Sequence, residues 1–417
     1  MKVLYISYDG MTDNLGQSQV IPYLKGLIKH GHSFDILSFE KPENFSKRES
    51  LVKDLLREAG IGWYPLKYTK RPPVLASVYD TIRMHNKAKQ LYLKNKYDAT
   101  HCRSYMPAMA GQMLKRKYGC RFIFDMRGFW PDERIDGNLW NIKNPLYRWI
   151  YHYFKKKELQ FFNEADYSIS LTEAGYREIC KWKISPSQLE KFSIIPCCAD
   201  FELFRVLPEN KELKSQLNIS DSHKVLCYLG SIGTWYMFDE MLQFFSLLRQ
   251  SDSSFCFLFI TPEQEKFILE NAARFQIPSD AVRVVFASRQ MVPEYLSLAH
   301  AGISFIKPCF SKQSSSPTKM GEMMAGGLPV ICNDGVGDVD KYIQKTKAGI
   351  LLKDFSEEEM KKAVSQVPTV LALAKEEVRK RAYEIFNLEH GVELYADVYR
   401  QLEKTPAHEN KKTQPVA

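Results

Sequence analysis

Short apolar runs alternate with longer stretches of helical periodicity along almost the whole chain, and that rhythm leaves few folds open. Strands that take turns with helices build parallel sheets covered on both faces. In the first half the strand candidates are 2–8, 33–38, 62–66, 99–102, 121–125 and 167–170. In the second they are 224–229, 256–260, 282–286, 301–306 and 328–332. At 417 residues the chain is too long for one ordinary core, and two α/β domains suit it. The break is expected near Ile194-Ile-Pro-Cys-Cys-Ala-Asp200, giving units over 1–199 and 200–388. A helix over 389–403 follows, and the polar residues of 404–417 read as a flexible tail.

With 45% hydrophobic and 26% charged residues the composition is that of a globular protein. No apolar run is long enough to span a bilayer, and the segment from Met1 to Asp9 reads as a first buried strand rather than a signal peptide. The nine cysteines show no zinc spacing and sit in apolar runs, which points to a reducing cytoplasm. Residues 1–200 hold 32 Lys/Arg against 21 Asp/Glu, whereas the rest holds 26 against 28. An anionic membrane surface, a lipid-phosphate acceptor, a nucleic acid or a merely solvated basic face would each account for that excess.

Ser314–Ile331 packs a small-residue loop, a lysine, one carboxylate and the start of a buried strand into a short span. Ser316 or Thr318 is expected to cap a helix that tolerates Pro317 at its start and ends at Gly326-Gly327. Such an N-terminus suits an anion, and Glu322, a turn later, suits a pair of hydroxyls. A ribose carrying a diphosphate fits that layout; so does a plain βα unit with nothing bound.

The segment resembles the donor-site motif of family 4 retaining glycosyltransferases, which have the two-domain GT-B fold. Glu322, Ala325, Gly327, Pro329 and Val330 match the second half of that motif. The family's first Glu would fall at Ser314 and is absent. Pro317-Thr318-Lys319 is similar to a single-Glu variant found in a bacterial sub-group, as are Arg127, Trp130 and Pro131 to its Arg-x-x-Trp-Pro segment. The resemblance implies two Rossmann-like domains. The first would bind the acceptor and receive the last helix, and the second would bind the nucleotide-sugar.

The resemblance assigns residues accordingly. Lys319, Arg127 and His101 become catalytic candidates. Glu322, Ser316, Pro317, Thr318, Gly230, Gly233 and Gly16 become donor contacts, and Gln17, Trp130 and Arg103 acceptor contacts. The family's Arg/Lys pair near the second glycine turn is replaced here by Thr234-Trp235-Tyr236, so a cation must come from elsewhere, with Lys319 first choice. Each has a plainer reading: a loop glycine, a structural histidine, a salt-bridged loop over a core tryptophan. The aromatic, basic stretch Leu146–Phe162, with Lys155-Lys-Lys157, would suit a membrane surface or a core.

The function these features imply is metal-independent, cofactor-free transfer of a sugar to a glycan or polyprenyl-linked acceptor, in surface polysaccharide biosynthesis. The protein would be cytoplasmic or peripheral on the membrane's inner face. The alternative is a non-catalytic partner that keeps the fold. An epimerase or phosphorylase lacks its expected residue clusters, and nucleic acid binding has only charge in its favour.

Overall fold

The computed structural model describes residues 1–404; the expected tail beyond Lys404 lies outside the described residues. The chain divides into two compact units, Met1–Pro196 with the residues from Gly391 onward, and Cys197–His390.

The first unit is built on β1 (Lys2–Ser7), β2 (Ser33–Glu40), β3 (Gly62–Lys67), β4 (Ala99–Arg103), β5 (Arg121–Asp125), β6 (Tyr167–Ser170) and β7 (Phe192–Ile194). They form one parallel sheet in the order β3-β2-β1-β4-β5-β6-β7. The second unit holds β8 (Lys224–Leu229), β9 (Phe255–Ile260), β10 (Val282–Val285), β11 (Ala301–Ser304), β12 (Val330–Asn333) and β13 (Gly349–Leu352). These are parallel in the order β10-β9-β8-β11-β12-β13. Central strands such as β4 and β9 are buried along their whole length, as helices on both faces require.

Both sheets reverse direction once, between β1 and β4 and between β8 and β11. Loops that leave the carboxyl ends of such a pair diverge, and the gap they open is where α/β proteins receive ligands. It places Asp9–Gly16 and Arg103 at one such gap, and Gly230 at the other.

One strand, β13, was not expected, and β7 was foreseen only as a strand end at Ile194. β7 and β13 are short and lie at sheet edges, with only partial burial, so neither has a long apolar run to announce it. The unit boundary falls three residues earlier than the sequence suggests, because Cys197 donates its N–H to Ser316 and Ala199 bridges Asn387, both in the second unit. The helix Leu388–Lys404 carries the chain back, and from Gly391 it belongs to the first unit. No helix among the described residues is long and apolar enough to cross a membrane.

The basic tract is mostly turned to internal use. Lys155 pairs with Glu158 and, at 2.9 Å, with Asp132; Lys157 donates to Gln112 at 3.0 Å; of the three, Lys156 is the exposed one. Lys155 and Lys157 answer buried carboxylates and an amide, while Leu146 and Trp149 on the same helix stay exposed.

Candidate active site

In the second unit, β8 runs into Gly230, which has φ +104° and donates its N–H to the carbonyl of Ile260 at 2.8 Å. Only glycine adopts that backbone at little cost. The position is also crowded: a Cβ there would stand 3.1 Å from the Lys319 ammonium. Lys319 is the second residue of the helix Thr318–Ala325. Its Nζ donates to the Tyr228 hydroxyl at 3.0 Å, and that hydroxyl donates onward to the Ser231 carbonyl at 2.7 Å. The Tyr228 and Tyr236 rings lie 4.3 and 3.6 Å away, measured to their centroids. Burial pulls the amine down to about 7, against the opposing pull of Glu322. A lysine so held is a cation on the edge of neutrality, which an arriving anion would recharge.

Glu322 lies one turn further on, 7% exposed, and accepts a hydrogen bond from Arg289 Nη1 at 2.6 Å. The Arg289 guanidinium in turn lies 5.0 Å from the centre of the Phe204 ring. Neither Ser316 nor Thr318 caps the helix. Pro317 holds the N-cap position without a side-chain bond, and the Ser316 hydroxyl instead accepts the Cys197 N–H at 3.0 Å. Gly326 and Gly327 end the helix as expected, the latter at φ +83°. A Cβ on Gly233 would meet nothing within 4 Å, so packing does not demand glycine there. Ser314 is fully buried and donates to the Ser311 carbonyl at 3.0 Å.

In the first unit, Asp125 at the end of β5 is the hub. Tyr395 donates to its Oδ2 at 3.1 Å, His101 Nε2 lies 3.3 Å from the same oxygen, and Arg127 Nη1 is 3.7 Å from Oδ1. Burial would raise this carboxyl, but Arg127, His101 and Arg103 together outweigh it and hold it at about 2. His101 is 1% exposed, and its other nitrogen shares a hydrogen bond with Tyr399 at 2.7 Å. Both ring nitrogens are thus committed inside the fold, and His101 acts there as a structural bridge rather than an exposed acid or base. Arg127 has φ +60° and donates to Tyr395 at 3.2 Å. Arg103 donates to the half-exposed Asp9 at 3.2 Å.

Trp130 opens the helix Trp130–Asp136 inside an aromatic cluster. Phe154 and Trp140 meet it edge-on at 4.8 and 5.3 Å, and the Arg134 guanidinium lies 5.0 Å from its ring centre. Trp130 is partly buried, with the Arg134 guanidinium over its ring, so one face at least is engaged by protein. Gly16 is required by close packing, since a Cβ would lie 2.3 Å from the Gly10 carbonyl. Gln17 donates to the Thr12 carbonyl at 3.3 Å.

Two family models divide the chain between them: residues 18–203 match Glycosyltransferase Family 4, and 209–384 match Glycosyl transferases group 1. Both units are glycosyltransferase domains. Solved structures agree in fold. Sucrose-phosphate synthase from Thermosynechococcus elongatus superposes with a TM-score of 0.70 at 15% identity, over 96% of this chain and 99% of that one. WaaG, a glycosyltransferase involved in lipopolysaccharide biosynthesis, gives 0.67 at 14% identity over 95% and 99%. Anabaena HepE, in complex with UDP-glucose, gives 0.67 at 12% over 97% and 100%. At those identities the likeness establishes the GT-B class of fold. The curated proteins give no match.

This glycosyltransferase chain brings Lys319, Gly230 and Glu322 to one end of the second sheet, and Arg127, His101 and Arg103 to one end of the first. Sequence reasoning overlooked Tyr228 and Tyr236 as the lysine's walls and Arg289 as the partner of Glu322. It also overlooked Glu40, which is 2% exposed and organises the glycine loop. Glu40 accepts from the Met11 and Thr12 N–H groups at 2.8 and 3.0 Å and from the Thr12 hydroxyl at 2.6 Å. A carboxylate closing a strand whose last five residues are all buried was the one available hint. Among the described residues, no group of three or more His, Cys, Asp or Glu is placed to hold a metal ion.

Proposed function

We propose that this chain transfers a sugar from a nucleotide-sugar to a glycan or lipid-linked saccharide acceptor, without a metal and with retention of configuration. The observation that carries the reading is the Lys319 ammonium set against Gly230, with Glu322 one helical turn away. The bond from the anomeric carbon to the diphosphate breaks, and a bond to the acceptor oxygen forms on the same face of the sugar. The acceptor's proton leaves with the diphosphate. Lys319 and the first-turn N–H groups oppose the charge growing on the departing diphosphate. Glu322, aimed by Arg289, grips the ribose hydroxyls and so positions the donor without exchanging protons.

HepE in complex with UDP and with UDP-glucose makes uridine the first nucleobase to try. A role in surface polysaccharide assembly at the cytoplasmic membrane face completes the proposal. A thermal-shift series with UDP, GDP, CMP, TDP and ADP, in the presence of EDTA, tests it. One nucleotide should raise the melting temperature, and Glu322→Ala should weaken its binding at least tenfold, given ~1.5–3 kcal/mol for hydrogen bonds to a charged group. Silence from all five nucleotides, with folded protein, refutes the donor site.

One observation favours a second reading, a donor-binding protein without turnover: a buried serine stands where the family has its first carboxylate. Nucleotide binding without hydrolysis or transfer of the matching nucleotide-sugar would select it.

A further inference from the structure

The helix Pro73–Asn95 turns an uncovered apolar line outward. Leu75, Val78, Tyr79 and Ile82 are each more than half exposed, Leu75 by 68%. Their spacing sets all four on one face, and the same face continues through the exposed Asn86, Lys89 and Leu93. It runs for about 27 Å along the axis. The buried residues Ala76, Asp80, Met84, Ala88 and Leu91 take the opposite side. This helix therefore has an apolar inner face and a second, largely apolar outer one, where a surface helix ordinarily shows polar groups to water.

The charge around that line has one sign. From Lys67 to Lys96 the chain carries eight Lys/Arg and a single carboxylate, Asp80. Asp80 is fully buried, where it accepts from Tyr8, from the N–H and hydroxyl of Thr69, and from Arg83 at 3.1 Å. Nothing acidic from this segment reaches the surface, while Lys70 and Arg71 stand exposed at the head of the apolar line.

We propose that this face docks on an anionic lipid bilayer, with Leu75, Val78, Tyr79 and Ile82 entering the headgroup boundary and Lys70 and Arg71 meeting phosphate. An apolar stripe flanked by cations alone is the pattern that such a surface rewards. A second copy of the chain is disfavoured, because a symmetric contact would set like charges against each other. The inference rests on the proposed function only in giving the docking a purpose, access to a lipid-linked acceptor. Vesicle binding itself needs no transfer.

Cosedimentation with phosphatidylcholine vesicles, with and without phosphatidylglycerol, is the test. The protein should follow the anionic vesicles and largely ignore the neutral ones. Lys70→Gln with Arg71→Gln should lower partitioning roughly thirtyfold, at about a kilocalorie per charge. Leu75→Ser with Tyr79→Ser should abolish it, with melting temperature and nucleotide shift unchanged, since all four positions are exposed. No binding to anionic vesicles, or binding indifferent to both pairs, overturns the proposal. So does a dimer, seen by sedimentation velocity, that the Leu75/Tyr79 pair dissolves. Loss of the nucleotide shift alone would count against the transferase reading and leave this one standing.

Discussion

Lys319 sits under two opposing pulls. Burial favours the neutral amine, whereas the Tyr228 and Tyr236 ring faces and an incoming diphosphate favour the ammonium. Because the free side chain titrates near 7 and the bound one must titrate higher, binding takes up protons between those values. Diphosphate affinity should therefore be greatest below pH 7 and fall as pH rises to 9, by roughly fiftyfold at most. Calorimetry in buffers of different ionisation heat checks the proton uptake, and Lys319→Met should flatten the pH profile. The lysine and carboxylate one turn apart were legible in the sequence because helical spacing alone relates them. Arg289 was not, since its bond to Glu322 spans 33 residues of chain and only the folded sheet brings them together.

Among elements, the helix Pro145–Glu164 shows how a buried carboxylate sets a pH dependence. Its Glu158 packs beneath the hydroxyl of Tyr105, and burial raises it to about 7 despite the nearby Lys155. A folded value above the ordinary 4.5 means the native state binds the extra proton. The stabilisation is complete below pH 4.5 and is lost as pH climbs through 7, by about 3 kcal/mol. Glu158→Gln should remove that slope in urea unfolding measured from pH 5 to 8. Central elements were read closely from sequence: β5, β6 and β8 have the bounds that apolar patterning suggests. The edge strand β13 escaped notice, and β7 was foreseen only as a strand end, because partial burial dilutes the pattern. The surroundings of His101 and Trp130 were not legible for a related reason, since a position at or after a strand end says nothing of which neighbours already engage the side chain.

At the scale of the whole molecule, two units were foreseeable from rhythm and length, and the returning last helix from the family resemblance. That helix has a consequence for the order of synthesis. Tyr395 and Tyr399, which close over Asp125 and His101, are made after the whole second unit, and the Met1 amine finds Glu403 at 3.3 Å. A ribosome thus delivers all of Cys197–His390 while the first unit still lacks its final piece. The later-made unit is the one that can finish first, inverting the usual amino-to-carboxyl order of domain folding. Nascent chains halted after His390 should resist protease in the second unit and be cut in the first, and release of the full chain should protect both. The returning helix thereby ties completion of the first unit to synthesis of the second, so a product that stops before Gly391 carries an unfinished first unit.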